Sequence, residues 1–135
     1  MYQNILVTVA FDAETDPKRG LRAANVLAAE GARVTFLHVM AEPPSGAIAY
    51  MPEGYEMELE RSIRAELDAL ADGAANGTVA VLRGHAARMI LEWADTAGID
   101  CIVIDSHRPG LADYFLGSTA ARVVRHAKCS VHVLR

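Results

Sequence analysis

Apolar positions along the chain follow two alternating rhythms. Asn4–Ala10 (NILVTVA) and Arg33–Met40 (RVTFLHVM) are near-continuous, β-branched runs. That is the pattern of strands buried on both faces of a parallel sheet. Between them Leu21, Ala24, Leu27 and Ala28 recur at helical spacing. Asp16 and Pro17 stand ahead of this stripe as an N-cap and first-turn proline, and Gly31 stands after it as a C-cap. Tyr55, Leu59, Ile63, Leu67 and Leu70 predict a long amphipathic helix ending at Gly73, with Glu60 and Arg64 as an i,i+4 pair on its outer side. Thr78–Leu82 is a third strand. Ala86, Ile90, Trp93, Ala94 and Ala97 stripe a helix that Gly98 stops. Asp100–Ile104 is a fourth strand, Ser118–Ala127 a last helix and Val131–Leu134 a last strand. The segment Ala41–Pro52, with three prolines and a glycine, predicts a long loop that is a lid, an oligomer contact or a mobile linker. Its Ile48, Tyr50 and Met51 favour contact over solvation.

Strands alternating with helices predict an α/β fold with helices on both faces of a parallel sheet. Right-handed crossovers leave a doubly wound sheet of five strands, most simply in the order 3-2-1-4-5. The strand order then reverses between strands one and four, and ligands bind in that crevice, outside the carboxyl ends of the strands. Two stretches meet there: Val9, Ala10, Phe11 and Asp12, and Asp105, Ser106, His107 and Arg108. Gly117, Ser118 and Thr119 open the last helix beside them. A helix start carries partial positive charge and free N–H groups, so these residues are read as holding the phosphates of a nucleotide, against an ordinary N-cap. Arg108 is either a bidentate phosphate partner or a solvated loop arginine. Asp105 repels phosphate unless a cation or Arg108 intervenes; otherwise it faces solvent or pairs with Arg108 or His107. A Mg²⁺ bridged to phosphate by Asp12 and Asp105 is the sharper expectation.

At 135 residues the chain suits one domain, residues 1–135. Hydrophobic residues make up 52%, yet no apolar run reaches the roughly 20 residues of a membrane span. The opening MYQNILVTVA reads as a strand and not a signal peptide. A formal net charge of −4 disfavours bulk nucleic-acid binding. Cys101 and Cys129 read as reduced, buried thiols of a cytoplasmic protein, with a redox pair as the alternative. No Ser-His-Asp or Cys-His arrangement can be argued from the spacing, so efficient catalysis is not expected. Arg122, Arg125, His126 and Lys128 complement the dipole at the end of the last helix. The alternating strand Val131–Leu134 invites pairing with a second copy at a sheet edge.

Several stretches together resemble the universal stress proteins, over the full length. They are NILVTV, TFLHVM, RGHAARMILEWA and, most specifically, SHRPGLADYFLGSTAARVVRHAKCSVHVLR. The last is most similar to the UspF/UspG branch. The resemblance implies a five-stranded Rossmann-like domain of the adenine nucleotide α-hydrolase-like group and a homodimer through the last strand, with tetramers as a further step. It implies a regulatory, stress-response protein that binds ATP or another adenine nucleotide and signals through oligomer state or a protein partner; the Mg²⁺ read from Asp12 and Asp105 would accompany that nucleotide. Val39 matches the position that packs on the base, and Gly117-Ser118 matches the family's Gly-Ser/Thr. Asp105 and Arg108 stand where nucleotide-binding members carry glycines, the interval from Arg108 to Gly117 is eight residues where they have nine, and Ala10 stands where they carry an aspartate. An interaction module with a degenerate pocket is the alternative function.

Overall fold

The computed structural model describes residues 1–12, 15–106 and 116–135. Five strands, β1 (Tyr2–Thr8), β2 (Ala28–Met40), β3 (Gly77–Arg83), β4 (Cys101–Asp105) and β5 (Ser130–Leu134), form one sheet in the order β3-β2-β1-β4-β5. Every pairing is parallel. The helices are α1 (Lys18–Leu27), α2 (Tyr55–Ala71), α3 (Ala86–Thr96) and α4 (Ser118–His126). The expected α/β fold and strand order are both present.

The side-chain alternation of the central strands divides the core into two clusters. Ile5, Val7, Val34, Phe36, Cys101 and Val103 pack with Ala24 of α1 and Leu67, Leu70 and Ala71 of α2. Leu6, Leu37, Ile102 and Ile104 pack with Ala87, Ile90 and Ala94 of α3 and Ala120 and Val123 of α4. Two apolar faces per strand explain the unbroken apolar runs of β1, β2 and β4. The edge strands β3 and β5 are only partly buried, with Thr78, Ser130 and His132 exposed.

Three expectations need correction. Helix α1 ends at Leu27, where the Ala28 N–H still bonds to the Ala24 carbonyl but the backbone turns extended. Ala28 pairs with Tyr2, and by Asn4 the partner is Arg33, so five residues of β2 run against two of β1. Gly31, at φ 78°, sits in this irregular stretch rather than capping the helix; the positive φ is what glycine supplies there. In α2 the apolar stripe is buried only from Leu67 onward, while Tyr55, Met57 and Leu59 are exposed. Glu60 does not face Arg64: Glu60 and Glu56 converge on Arg83 of β3, at 3.6 and 3.2 Å. That clamp ties the first turns of α2 to the sheet edge, a long-range partner that outcompetes the local one.

The start of α1 is built much as expected, one residue later. Pro17 is the N-cap residue, and the Asp16 carboxylate accepts from the Lys18 N–H at 3.0 Å. That bond, with Arg22 alongside, holds the Asp16 carboxyl below its ordinary pKa. The loop after β2 carries a short 3-10 turn, Ile48–Tyr50, with Ile48 and Tyr50 exposed and Met51 half-buried.

Candidate functional site

A cavity of about 400 Å³ opens at the carboxyl ends of β1 and β4, where the strand order reverses. The ends of β1 and β2 contribute Thr8, Val9, Ala10, Leu37, His38 and Val39. Asp12 and Thr15 come from the loop after β1, Ala86 and Ile90 from the start of α3, and Ile104 and Asp105 from β4. Gly117, Ser118, Thr119 and Ala120 close it from α4. A larger depression, about 950 Å³, lies at the opposite end of the sheet, around Gln3, Asn4, Gly77 and Thr78. It sits at the amino ends of the strands, away from the topological switch, so the smaller crevice is the better candidate.

The start of α4 faces this crevice. Gly117 is its N-cap residue, in extended conformation, and has no side chain with which to cap the helix. The Gly117 carbonyl accepts from the Ala121 N–H at 2.9 Å, so the helix is well begun. With the cap position held by glycine, Ser118 is the first helical residue, not the cap. The N–H groups of the first turn have no intrahelical partner.

Polar side chains in the crevice are held in place by their neighbours. The Asp12 carboxylate accepts from the Thr15 N–H at 2.8 Å and from Thr15 Oγ1 at 2.9 Å. His38 Nδ1 lies 2.7 Å from the Val9 carbonyl; the carbonyl only accepts, so Nδ1 carries the proton. Phe11 stands edge-on to His38, with ring centroids 4.9 Å apart. Asp105 Oδ2 is 3.2 Å from Arg19 Nη1, and Arg19 Nη2 donates to the Arg135 backbone oxygen at 2.6 Å. Asp105 therefore pairs with a residue of α1, a partner that neither expected alternative named.

Of the twelve residues singled out in the sequence, eight line the crevice: Val9, Ala10, Asp12, Val39, Asp105, Gly117, Ser118 and Thr119. Phe11 and Ser106 do not. Phe11 turns to the other face of the sheet, against Leu21 and Leu70, because successive residues of an extended chain point oppositely. Ser106 is buried, its N–H bonded to the Leu134 carbonyl and its carbonyl accepting from the Gly117 N–H. It fastens β5 and α4 to the end of β4. His107 and Arg108 lie outside the described residues. Thr8, Thr15, Leu37, His38, Ala86, Ile90, Ile104 and Ala120 also line the crevice and went unread. For Thr15 a signal was present: Asp-x-x-Thr is a spacing at which an aspartate caps a turn. Among the described residues no group of three or more His, Cys, Asp or Glu is placed to hold a metal ion.

The two cysteines stay free thiols. Burial, then the neighbouring Cys129, pushes the Cys101 thiol from its ordinary 9.0 up to about 11. Burial likewise raises Cys129. The folded chain thus keeps the Cys101 proton at a pH where the unfolded chain loses it. The stabilisation is complete below pH 9 and is lost as pH rises through 9 to 11. Urea melts at pH 8 and pH 10.5 should show a loss of order 2 kcal/mol that Cys101→Ala removes. An equal pH effect in Cys101→Ala would show that other groups carry it.

The model of the universal stress protein family matches residues 1–135. A universal stress protein of Thermus aquaticus, named for its place in the QAH/OAS sulfhydrylase 3′ region, is 30% identical over 139 residues, covering 100% of both chains. Universal stress protein G of Escherichia coli O157:H7 is 28% identical over 145 residues, again covering 100% of both. Among solved structures, UspA from Lactobacillus plantarum superposes with a TM-score of 0.74 at 25% identity, covering 99% of this chain and 98% of that one. A universal stress protein in complex with cAMP superposes at 0.71, with 24% identity and coverage of 99% and 97%. One from Archaeoglobus fulgidus in complex with dAMP superposes at 0.64, with 20% identity and coverage of 99% and 98%.

Proposed function

Since the chain belongs to the universal stress protein family, we propose that it binds an adenine nucleotide in the crevice between β1 and β4 and uses it to regulate a stress response. One observation carries this reading: the α4 start, with glycine at its N-cap, faces a cavity at the topological switch point. A phosphate seated there receives first-turn N–H groups, and the hydroxyls of Ser118 and Thr119 lie beside it. Ala10 and Val39 lie on the wall against which the base packs. The cAMP and dAMP held by structural neighbours support the ligand class. ATP is the polyphosphate member of that class, with Mg²⁺ as its counter-ion.

The readout is an oligomer or a partner protein. Strand β5 is an edge of the sheet, and a second copy adding its own β5 there makes a symmetric homodimer, with a tetramer as a further step. Two free thiols fit a cytoplasmic address, and no helix among the described residues is long and apolar enough to cross a membrane. The competing reading, an interaction module with a vestigial pocket, draws on Asp105 and Ala10 in the crevice lining.

Isothermal titration with AMP, cAMP and ATP–Mg²⁺ tests the nucleotide reading, with mass spectrometry of whatever heat releases from the purified protein. One site per chain is expected, and light scattering should report any change of oligomer on binding. No heat and no thermal shift at millimolar nucleotide would favour the interaction module.

A further inference from the structure

We propose that the first half of α2, together with the pocket between α1 and α2, is a docking face for a basic amphipathic helix of a partner protein. The face lies on the α1 and α2 side of the sheet and does not depend on a nucleotide in the crevice.

Its origin is a mismatch of helix lengths. The end of α2 is fixed against the middle of α1: Asn25 Nδ2 donates to the Gly73 carbonyl at 3.1 Å, and Gly73 lies against Leu21. In that register Pro17 and Lys18, at the start of α1, stand beside Glu66, Ala69 and Leu70 around a cavity of about 310 Å³. The turns of α2 from Tyr55 to Glu66, about 16 Å of helix, run on past the start of α1. One stripe continues along them. Tyr55, Glu58, Leu59, Ser62, Glu66 and Leu70 stand at i, i+3, i+4, i+7, i+11 and i+15, a single side of a helix. Leu70 is buried, whereas Tyr55 and Leu59 are 46% and 40% exposed. An amphipathic helix is stabilised by covering its apolar stripe. Here the stripe outruns its cover and leads into a pocket floored by Phe11, Pro17, Leu21 and Leu70. Arg83, bonded to Glu56 and Glu60, ties the projecting turns to the sheet edge, so the side chains are presented on a fixed support.

Charge selects the occupant. Residues 41–60 contain five glutamates and no lysine or arginine. Glu53, Glu58 and Glu66 are exposed, and none has an ion-pair partner among the described residues. Arg61 and Arg64 fall on the opposite side of α2 by the helical period, and Lys18 is the cation in the pocket lining. Glutamates beside apolar anchors disfavour a second copy, which would bring the same glutamates across a two-fold axis. They equally repel the anionic surface of a membrane. They attract a segment that carries lysine or arginine beside an apolar stripe. A row of anchors at helical spacing that ends in a pocket suits a helix laid in a groove.

The experiment is a fluorescence-anisotropy titration of the intact protein with a labelled peptide of leucine and lysine, about five turns long, its leucines at helical spacing. Two control peptides carry glutamate for lysine, or the same composition with the leucine spacing scrambled. The Leu/Lys peptide should bind at micromolar affinity and both controls at least tenfold more weakly. Tyr55→Ser combined with Leu59→Ser should weaken binding at least tenfold. Glu58→Gln combined with Glu66→Gln should weaken it at least threefold and flatten its salt dependence. All four positions are exposed, so thermal melts should stay at wild type. Val124→Ser, at a 44% exposed site on α4 across the sheet, should bind within twofold of wild type. A Leu/Glu peptide bound as well as Leu/Lys overturns the proposal, as does no binding at hundred-micromolar protein or binding unchanged in either double variant. Light scattering without peptide is the last arm: self-association that the Tyr55 and Leu59 changes abolish would assign the face to a second copy and overturn the proposal too. Adenine nucleotide titration of the same variants reads the crevice separately, so failure here leaves the nucleotide reading standing.

Discussion

Phe36→Ala should cost about 3–5 kcal/mol of folding stability, the range for truncating a fully enclosed aromatic ring. Phe36 is wholly buried on the central stretch of β2. It is in register with Val7 of β1 on one side and Val79 of β3 on the other, and it shares its cluster with Leu67 and Leu70 of α2. The sheet backbone around it is hydrogen-bonded on both sides, so it cannot close over the void. Against a typical total of about 5–15 kcal/mol, such a loss leaves little reserve. Urea unfolding followed by circular dichroism measures it. Tyr50→Ala is the matched control: Tyr50 is 89% exposed, so a change within about 0.5 kcal/mol is expected. Equal losses at the two positions would mean that the loop around Tyr50 is covered by something the single chain does not contain.

Ser118→Glu should weaken adenine nucleotide binding at least thirtyfold, about 2 kcal/mol, while leaving the fold as stable as before. Two effects of the same charge decide the signs. A carboxylate in the first turn of α4 interacts favourably with the helix dipole, by about 0.3–1 kcal/mol. It also places a fixed anion where the phosphate has to sit, and it can take the first-turn N–H groups for itself. Ser118 is exposed at the crevice, so the longer side chain has room. Stability and binding are thus expected to separate, which a merely damaged fold cannot imitate. Titration calorimetry and thermal melts on one preparation suffice. Affinity within threefold of wild type would place the phosphate elsewhere.

Much of the fold was legible because buried strands and one-sided helices leave different periods. NILVTVA and CIVI are near-continuous apolar runs since both faces are covered, and the right-handed crossover rule then set β1 and β4 side by side in the sheet. The crevice followed from strand order, so the ends of β1 and β4 could be named before any coordinates. What could not be read depends on contacts across the fold. Arg19 and Asp105 are 86 positions apart, and no local pattern links them. Arg83 draws Glu60 away from Arg64 for the same reason. Phe11 and Ser106 failed differently: topology identifies the chain segments at a crevice, but backbone direction decides which side chains enter it. The end of α1 was misplaced because Gly31 looks the same at a helix end as in an irregular strand; only the pairing of Ala28 with Tyr2 distinguishes them.

The order β3-β2-β1-β4-β5 also bears on how the chain is made. Of these five strands, the first to leave the ribosome is the middle of the finished sheet. It can pair with β2 and β3 early, but its other edge waits for β4, which begins at Cys101. Until then Ile5, Leu6 and Val7 present an apolar, unpaired border on a nascent three-stranded sheet. Emergence of β4, not of β1 to β3, is therefore the moment at which this sheet becomes safe from aggregation. Chains arrested before residue 101 should be the ones that chaperones hold.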